Sequence, residues 1–283
     1  MNEQNQNLAV KDILGLIADA NKNLEHDAFL PSLNKEIHLK PLNANHSKNI
    51  ARTTIEGPFA QNQFNLIIYN ILKEISDPSI PLSQINTVDK IFILLELRNK
   101  NLGSALKLKA FSETEYTDVE GKRYRKDVEI DLNLNKILPK IKKLKLDFSD
   151  QTIEEDGYKL ILNYPSVEEE YLFENFIRSK MQKIDQKNPK ELETLFNPMF
   201  VIALSQYIKS IQIGEQQINL LTKSVDERLA IAESLSMKAS NSIISKIDSF
   251  FEKQINKILS VESTVDGETY IGRIDISPIL FIA

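Results

Sequence analysis

The residues able to do chemistry are few. Three histidines, His26, His38 and His46, lie close together. Their spacing puts no two of them on one helix face. On a strand His38 would share a face with Glu36, which could begin a two-ligand metal site. An exposed polar strand face accounts for that pair equally well. Glu168, Glu169 and Glu170 form a carboxylate run, and paired carboxylates can do acid–base work. At the start of a helix the same run simply complements the positive end of the dipole. Lys136, Lys140, Lys142, Lys143 and Lys145 form a basic cluster that could meet phosphate or an acidic partner. Ile141, Leu144 and Leu146 interleave with it, which favours a lysine-edged structural segment that discourages strand-to-strand aggregation. The sequence contains no dinucleotide-binding glycine fingerprint, phosphate-binding P-loop, HExxH motif, GxSxG elbow or EF-hand loop.

Composition points the same way. There are no cysteines among 283 residues. That excludes disulfides, thiolate metal sites and a cysteine nucleophile. The 8 glycines fall well short of the usual ~7%. The expectation is no catalytic residue, no cofactor and no metal, hence not an enzyme. A net charge of −5 from 35 basic and 40 acidic residues gives a mixed, mildly acidic surface rather than a nucleic-acid footprint. No run approaches eighteen apolar residues, so no membrane span is expected, and the start lacks the pattern of a secretory signal.

The elements that would position these groups follow from periodicity. Val10, Ile13, Leu14 and Ile17 make one stripe on a helix over about 7–22. It leads through polar NKNLEHDAF to a short strand carrying Ile37 and Leu39. A helix runs from Asn45 or Ser47 to about Ile55 and breaks at Gly57-Pro58. QFNLIIYNILKEIS is the next helix. TVDKIFILLELRNKNLG is apolar nearly all round and therefore central to the core. Thr87 is its expected cap and Gly103 its stop. Between Ser104 and Tyr164 the period shifts to two, predicting a small antiparallel sheet with a hairpin tip at Gly121. Ser166 with Glu169 and Ser224 with Glu227 are capping boxes. Asn188-Pro189 opens a further helix to about Gln206. Two more helices are expected over about 225–235 and 239–257. Hairpins are expected around Gly214 and Asp266-Gly267. The fold class is α+β, mainly helical, with a small antiparallel sheet in the middle and short hairpins in the C-terminal half. Three units are expected: an arm over 1–25, a mixed domain over 26–165 and a mainly helical domain over 166–283.

The order of these pieces resembles a known family. LPSLNKEIHLKPLNANHSKNIARTTI resembles the opening of the baseplate hub subunit family of T-even-like contractile-tailed bacteriophages (myoviruses). TVDKIFILLELRNKNLGSALKL resembles that family's apolar helix, entered by an acidic residue and ending in Leu-Arg and a following Gly, here Asp89, Leu97, Arg98 and Gly103. KLILNYPS resembles a family strand ending at Tyr164 and Pro165. IKSIQIGEQ, SVDE and SFFEKQINKIL follow the family's order. The likeness spans about residues 29–283. Family members often carry a Cys-x-x-Cys pair in the final hairpin, where this chain has SVESTVDGETYIGRID, so no zinc ribbon is expected here.

The resemblance implies a structural or assembly component of a phage tail baseplate hub. It would act through contacts with other hub and tail proteins, in multiple copies within a symmetric assembly. The alternatives are a transient assembly chaperone or a carboxylate-dependent hydrolase. The implied location is the virion tail, after assembly in the host cytoplasm. Two apolar terminal segments are the expected partner-binding elements: Val10, Ile13, Leu14 and Ile17 at one end, Ile279, Leu280 and Phe281 at the other. Arg98, at the end of an apolar helix, is expected to clamp the adjacent loop by paired hydrogen bonds.

Overall fold

A helix with almost no polar face has to be surrounded, and α4 (Thr87–Leu102) is. Val88, Phe92, Ile93, Leu94, Leu95 and Leu97 are all buried. In this computed structural model, which describes residues 10–22, 24–54, 60–148, 151–183 and 200–281, α4 is the axis of the first core. Its cap is Asn86 rather than Thr87. The Asn86 side chain accepts from the Asp89 N–H, and the Asp89 carboxylate accepts from the Asn86 N–H. The shift by one residue leaves Thr87 Oγ1 buried and unpartnered. At the other end Gly103 takes φ 88°, a left-handed value that stops the helix.

A hairpin N-terminal to α4 packs against it. α1 (Val10–Lys22) precedes a hairpin of β1 (His26–Leu30) and β2 (Lys35–Leu39). Their register runs from His26↔Leu39 to Leu30↔Lys35. β1 corrects the reading of NKNLEHDAF as a purely polar tether. His26, Ala28 and Leu30 point inward, but a histidine and an alanine on the inner face leave a weak apolar signal. α2 (Ala44–Thr53) starts at Asn43, which accepts from the His46 N–H while His46 Nδ1 accepts from the Asn43 N–H. The expected break at Gly57-Pro58 lies outside the described residues. α3 (Ala60–Ile75) packs along α6 (Val167–Met181). The α6 cap is the expected pair of Ser166 and Glu169.

The mid-chain strands do not make one sheet. β3 (Ala105–Ser112) and β6 (Asp127–Asn133) pair with each other. β11 (Ser260–Val265) and β12 (Glu268–Arg273) complete that sheet in the order β11-β12-β3-β6. β7 (Thr152–Glu155) and β8 (Tyr158–Leu162) join β9 (Ile208–Ile213) and β10 (Gln216–Asn219) in a second, ordered β10-β9-β8-β7. All these pairings are antiparallel. A two-residue ladder, β4 (Tyr116–Thr117) with β5 (Arg123–Tyr124), closes the tip around Gly121. The fold is α+β, with several sheets where one small one was expected. Period-two alternation tells which face a residue takes, not which strand lies beside it.

The hairpins at Gly214 and Asp266-Gly267 form as read. Gly214 has φ 58°, and Asp266 and Gly267 have φ 51° and 79°. Two successive positive φ values match a tight hairpin turn of the primed kind. At Gly272 the requirement is space. A Cβ there would sit 3.0 Å from Ile130 Cδ1 and 3.4 Å from Ala110 Cβ.

The first core takes residues from both sides of 165, including Tyr164, Val167, Phe250, Leu259, Tyr270 and Ile274. A second core lies under the β7–β10 sheet, with Leu160, Ile208 and Leu220 against Ala239 and Ile243 of α9 (Met237–Phe250). A third joins Phe173 and Ile177 of α6 to Ile202, in α7 (200–207), and to Leu229, in α8 (Val225–Glu233). The expected start of α7 at Asn188-Pro189 lies outside the described residues. An aromatic cluster stands at the edge of the first core, with the Tyr164 ring 4.2 Å from Phe250 and 5.9 Å from Tyr207. α9 continues through a π-helical stretch, Phe251–Asn256, and reaches β11.

Candidate docking surfaces

α1 keeps its apolar stripe in water. Ile13, Leu14 and Ile17 are 43%, 60% and 50% exposed. Leu16 and Leu24 are exposed as well, so the apolar surface is wider than the predicted stripe. Leu16 stands off the rows of the stripe, and Leu24 follows Ile17 by seven residues, just past the end of the helix. Val10 begins the helix, and its side chain lies outside the described ones. An amphipathic helix of 13 residues is marginal in isolation and gains its stability by covering that face.

The opposite terminus behaves differently, and this corrects the expectation of a free apolar end. Residues Pro278–Phe281 form one 3₁₀ turn. Leu280 is 2% exposed inside the first core, and the Phe281 ring lies 6.2 Å from Phe64. Those two side chains are already satisfied within the chain. The side chain of Ile279 lies outside the described residues.

Arg98 is buried where α4 turns into β3. Its Nη1 donates to Gly103 O at 2.6 Å and its Nη2 to Ala105 O at 3.0 Å. Both partners are backbone carbonyls of its own chain.

Several of the charged groups singled out above are held in ion pairs. His38 sits between Asp27 Oδ1 at 2.9 Å and Glu25 Oε2 at 3.0 Å. These hydrogen bonds raise its pKa, that from Asp27 most. Glu36 turns instead to Lys142 at 2.9 Å, so the His38–Glu36 pair does not form. The antiparallel register places Asp27 directly opposite His38, which decides the partner. Among the described residues, no group of three or more His, Asp or Glu could hold a metal ion.

The carboxylate run also divides. Glu169 completes the α6 cap and faces Arg228 Nη1 at 3.4 Å. Glu170 pairs with Lys90 of α4. One carboxyl escaped sequence reasoning. Glu174 is buried between α6 and α3, where Asn65 Nδ2 donates to Oε1 at 2.7 Å and Asn62 Nδ2 donates to Oε2. Burial pushes its pKa up to about 7. The only sequence hint was a pair of asparagines at i, i+3 within an apolar helix.

The lysine cluster lies on the surface of a segment that packs inward. Ile137, Leu138 and Ile141 are buried, Leu144, Leu146 and Phe148 rest against the first core, and the five lysines are exposed. None of the described helices is long and apolar enough to cross a membrane.

Two concavities accompany these surfaces. A groove of about 770 Å³ runs between Leu33, Tyr164, Leu172 and Leu221. A smaller pocket of about 540 Å³ lies beside the root of α1. Against known proteins, a model of the family described as T4 bacteriophage base plate protein matches residues 22–268. No curated protein and no solved structure matches the chain.

Proposed function

Because the chain belongs to the family of T4 bacteriophage base plate proteins, we propose that it is a structural or assembly part of the baseplate hub that works by contact rather than catalysis. Membership implies a virion tail location. The partners under this reading are other hub and tail proteins, met in several copies around a symmetry axis. Nucleic acid is not among them.

The observation that carries the reading is α1. Ile13, Leu14, Leu16 and Ile17 form an apolar helical face that the rest of the described chain leaves uncovered. Such a face marks an interaction site rather than a resting surface. It docks on a neighbouring subunit and so gains the packing it lacks here.

Removing residues 1–22 tests this. The truncated chain is expected to fold with an unchanged unfolding transition and to fail to join baseplate intermediates. Normal incorporation of the truncated chain would refute the arm. A permanent part and a transient chaperone separate by the composition of finished particles. A stoichiometric copy number in purified tails supports the first, and absence supports the second.

A further inference from the structure

The pocket beside α1 is formed where the β1–β2 hairpin, α4 and the short helix α5 (Leu138–Ile141) meet. Its wall carries Glu25, Asp27, Glu36 and Glu96 against Lys100 and Lys142. Lys142 is already held by Glu36. Among the described residues Glu96 has no hydrogen-bond or ion-pair partner. Burial pushes its carboxyl above the usual range, although Lys100 and Lys142 pull the other way.

A second group in the same pocket is also unsatisfied. His26 is 8% exposed, and its Nδ1 lies 3.2 Å from Leu24 O. A carbonyl only accepts, so Nδ1 carries the proton and Nε2 is left with a lone pair. Nε2 is buried and has no partner. Burial holds the ring below its usual pKa, which keeps that lone pair free.

Both unsatisfied groups are therefore acceptors, and the wall has more negative than positive groups. The complement is a cationic donor. Among the described residues the acidic and imidazole groups are not arranged to hold a metal ion, which leaves an organic cation. A guanidinium suits better than an ammonium, because its planar set of five N–H donors can serve a carboxylate and an imidazole together.

We propose that this pocket receives an arginine side chain from a neighbouring baseplate protein, as a second attachment beside the root of α1. The proposal rests on the docking role inferred above and names the chemistry of the partner. The internal competitor is Lys100, four residues after Glu96 on the same helix face.

The test titrates the full chain with N-acetylarginine amide and, separately, with the neutral N-acetylcitrulline amide, reading the His26 ring signal by NMR. A saturable shift is expected with the arginine compound alone. It should weaken about tenfold in Glu96→Gln, stay unchanged in Glu129→Gln on β6, and strengthen in Lys100→Met. An equal response to citrulline, an unchanged affinity in Glu96→Gln, or no saturable shift in either the native chain or Lys100→Met overturns the proposal. None of these outcomes bears on the arm, because removal of residues 1–22 leaves every residue of the pocket in place.

Discussion

Asn65 on α3 donates its side-chain N–H to Glu174 on α6 across 2.7 Å. The carboxyl between these helices has amide donors but no direct cation, since Lys90 is turned to Glu170. Burial therefore dominates and raises the Glu174 pKa from 4.5 to about 7. The sign follows. The folded state holds this proton more tightly than the unfolded state, so the stabilisation is complete below pH 4.5 and is lost as pH rises towards 7. At 1.36 kcal/mol per unit the loss is at most about 3 kcal/mol.

Glu174→Gln is accordingly expected to match the native chain near pH 5 and to be more stable at pH 8. The new amide can also donate to Asn62 Oδ1, which is buried without a partner. Urea unfolding at the two pH values measures this. A stability difference independent of pH would count against the burial of an ionising Glu174.

The α4 cap separates two adjacent residues. Asn86→Ala removes the acceptor for the Asp89 N–H and should cost about 1 kcal/mol. Thr87→Val replaces a buried hydroxyl that has no partner. It should be neutral or stabilising. Equal losses from both substitutions in a denaturant series would place the cap at Thr87 after all.

Arg98 holds the α4–β3 turn through Gly103 O and Ala105 O. Arg98→Met leaves both carbonyls without that donor and should cost about 1.5–3 kcal/mol, the range for bonds to charged groups. The neighbouring Leu134 N–H, which donates to Ser104 O at 2.8 Å, should exchange with solvent faster. Unchanged exchange at Leu134 would mean the turn holds itself.

Gly272 is the tight point of the β11-β12-β3-β6 sheet. Gly272→Val should cost about 1–3 kcal/mol through overpacking. Ile130→Val deletes the Cδ1 that the new side chain meets at 3.0 Å. The double variant should therefore lose less than the sum of the singles, a coupling a mutant cycle reads directly. Strict additivity would show that the contact is relieved elsewhere.

What the sequence made legible was local. The boxes at Ser166–Glu169 and Ser224–Glu227, the turns at Gly214 and Asp266-Gly267 and the helical stripes are each fixed by residues a few positions apart. What stayed hidden depends on distant neighbours. β3 lies beside β12, with Phe111 opposite Ile271, and no alternation pattern names a partner that far along the chain. Leu280 looks like a docking residue until the first core is seen to enclose it. Glu174 looks like one more surface carboxylate on a helix until α3 is laid over it. For α1 the periodicity gave the helix, while its exposure required knowing what the rest of the chain leaves uncovered.

The β11-β12-β3-β6 order has a consequence for how the protein is made. β3 leaves the ribosome long before the strand that lies beside it. Until residues 260–273 have been synthesised, one edge of β3 offers its unpaired backbone groups to any passing strand. Lys107 and Lys109, alternating along the same strand just before the stretch that β12 pairs, discourage such pairing. A half-made chain with an open edge is the copy most able to pair wrongly.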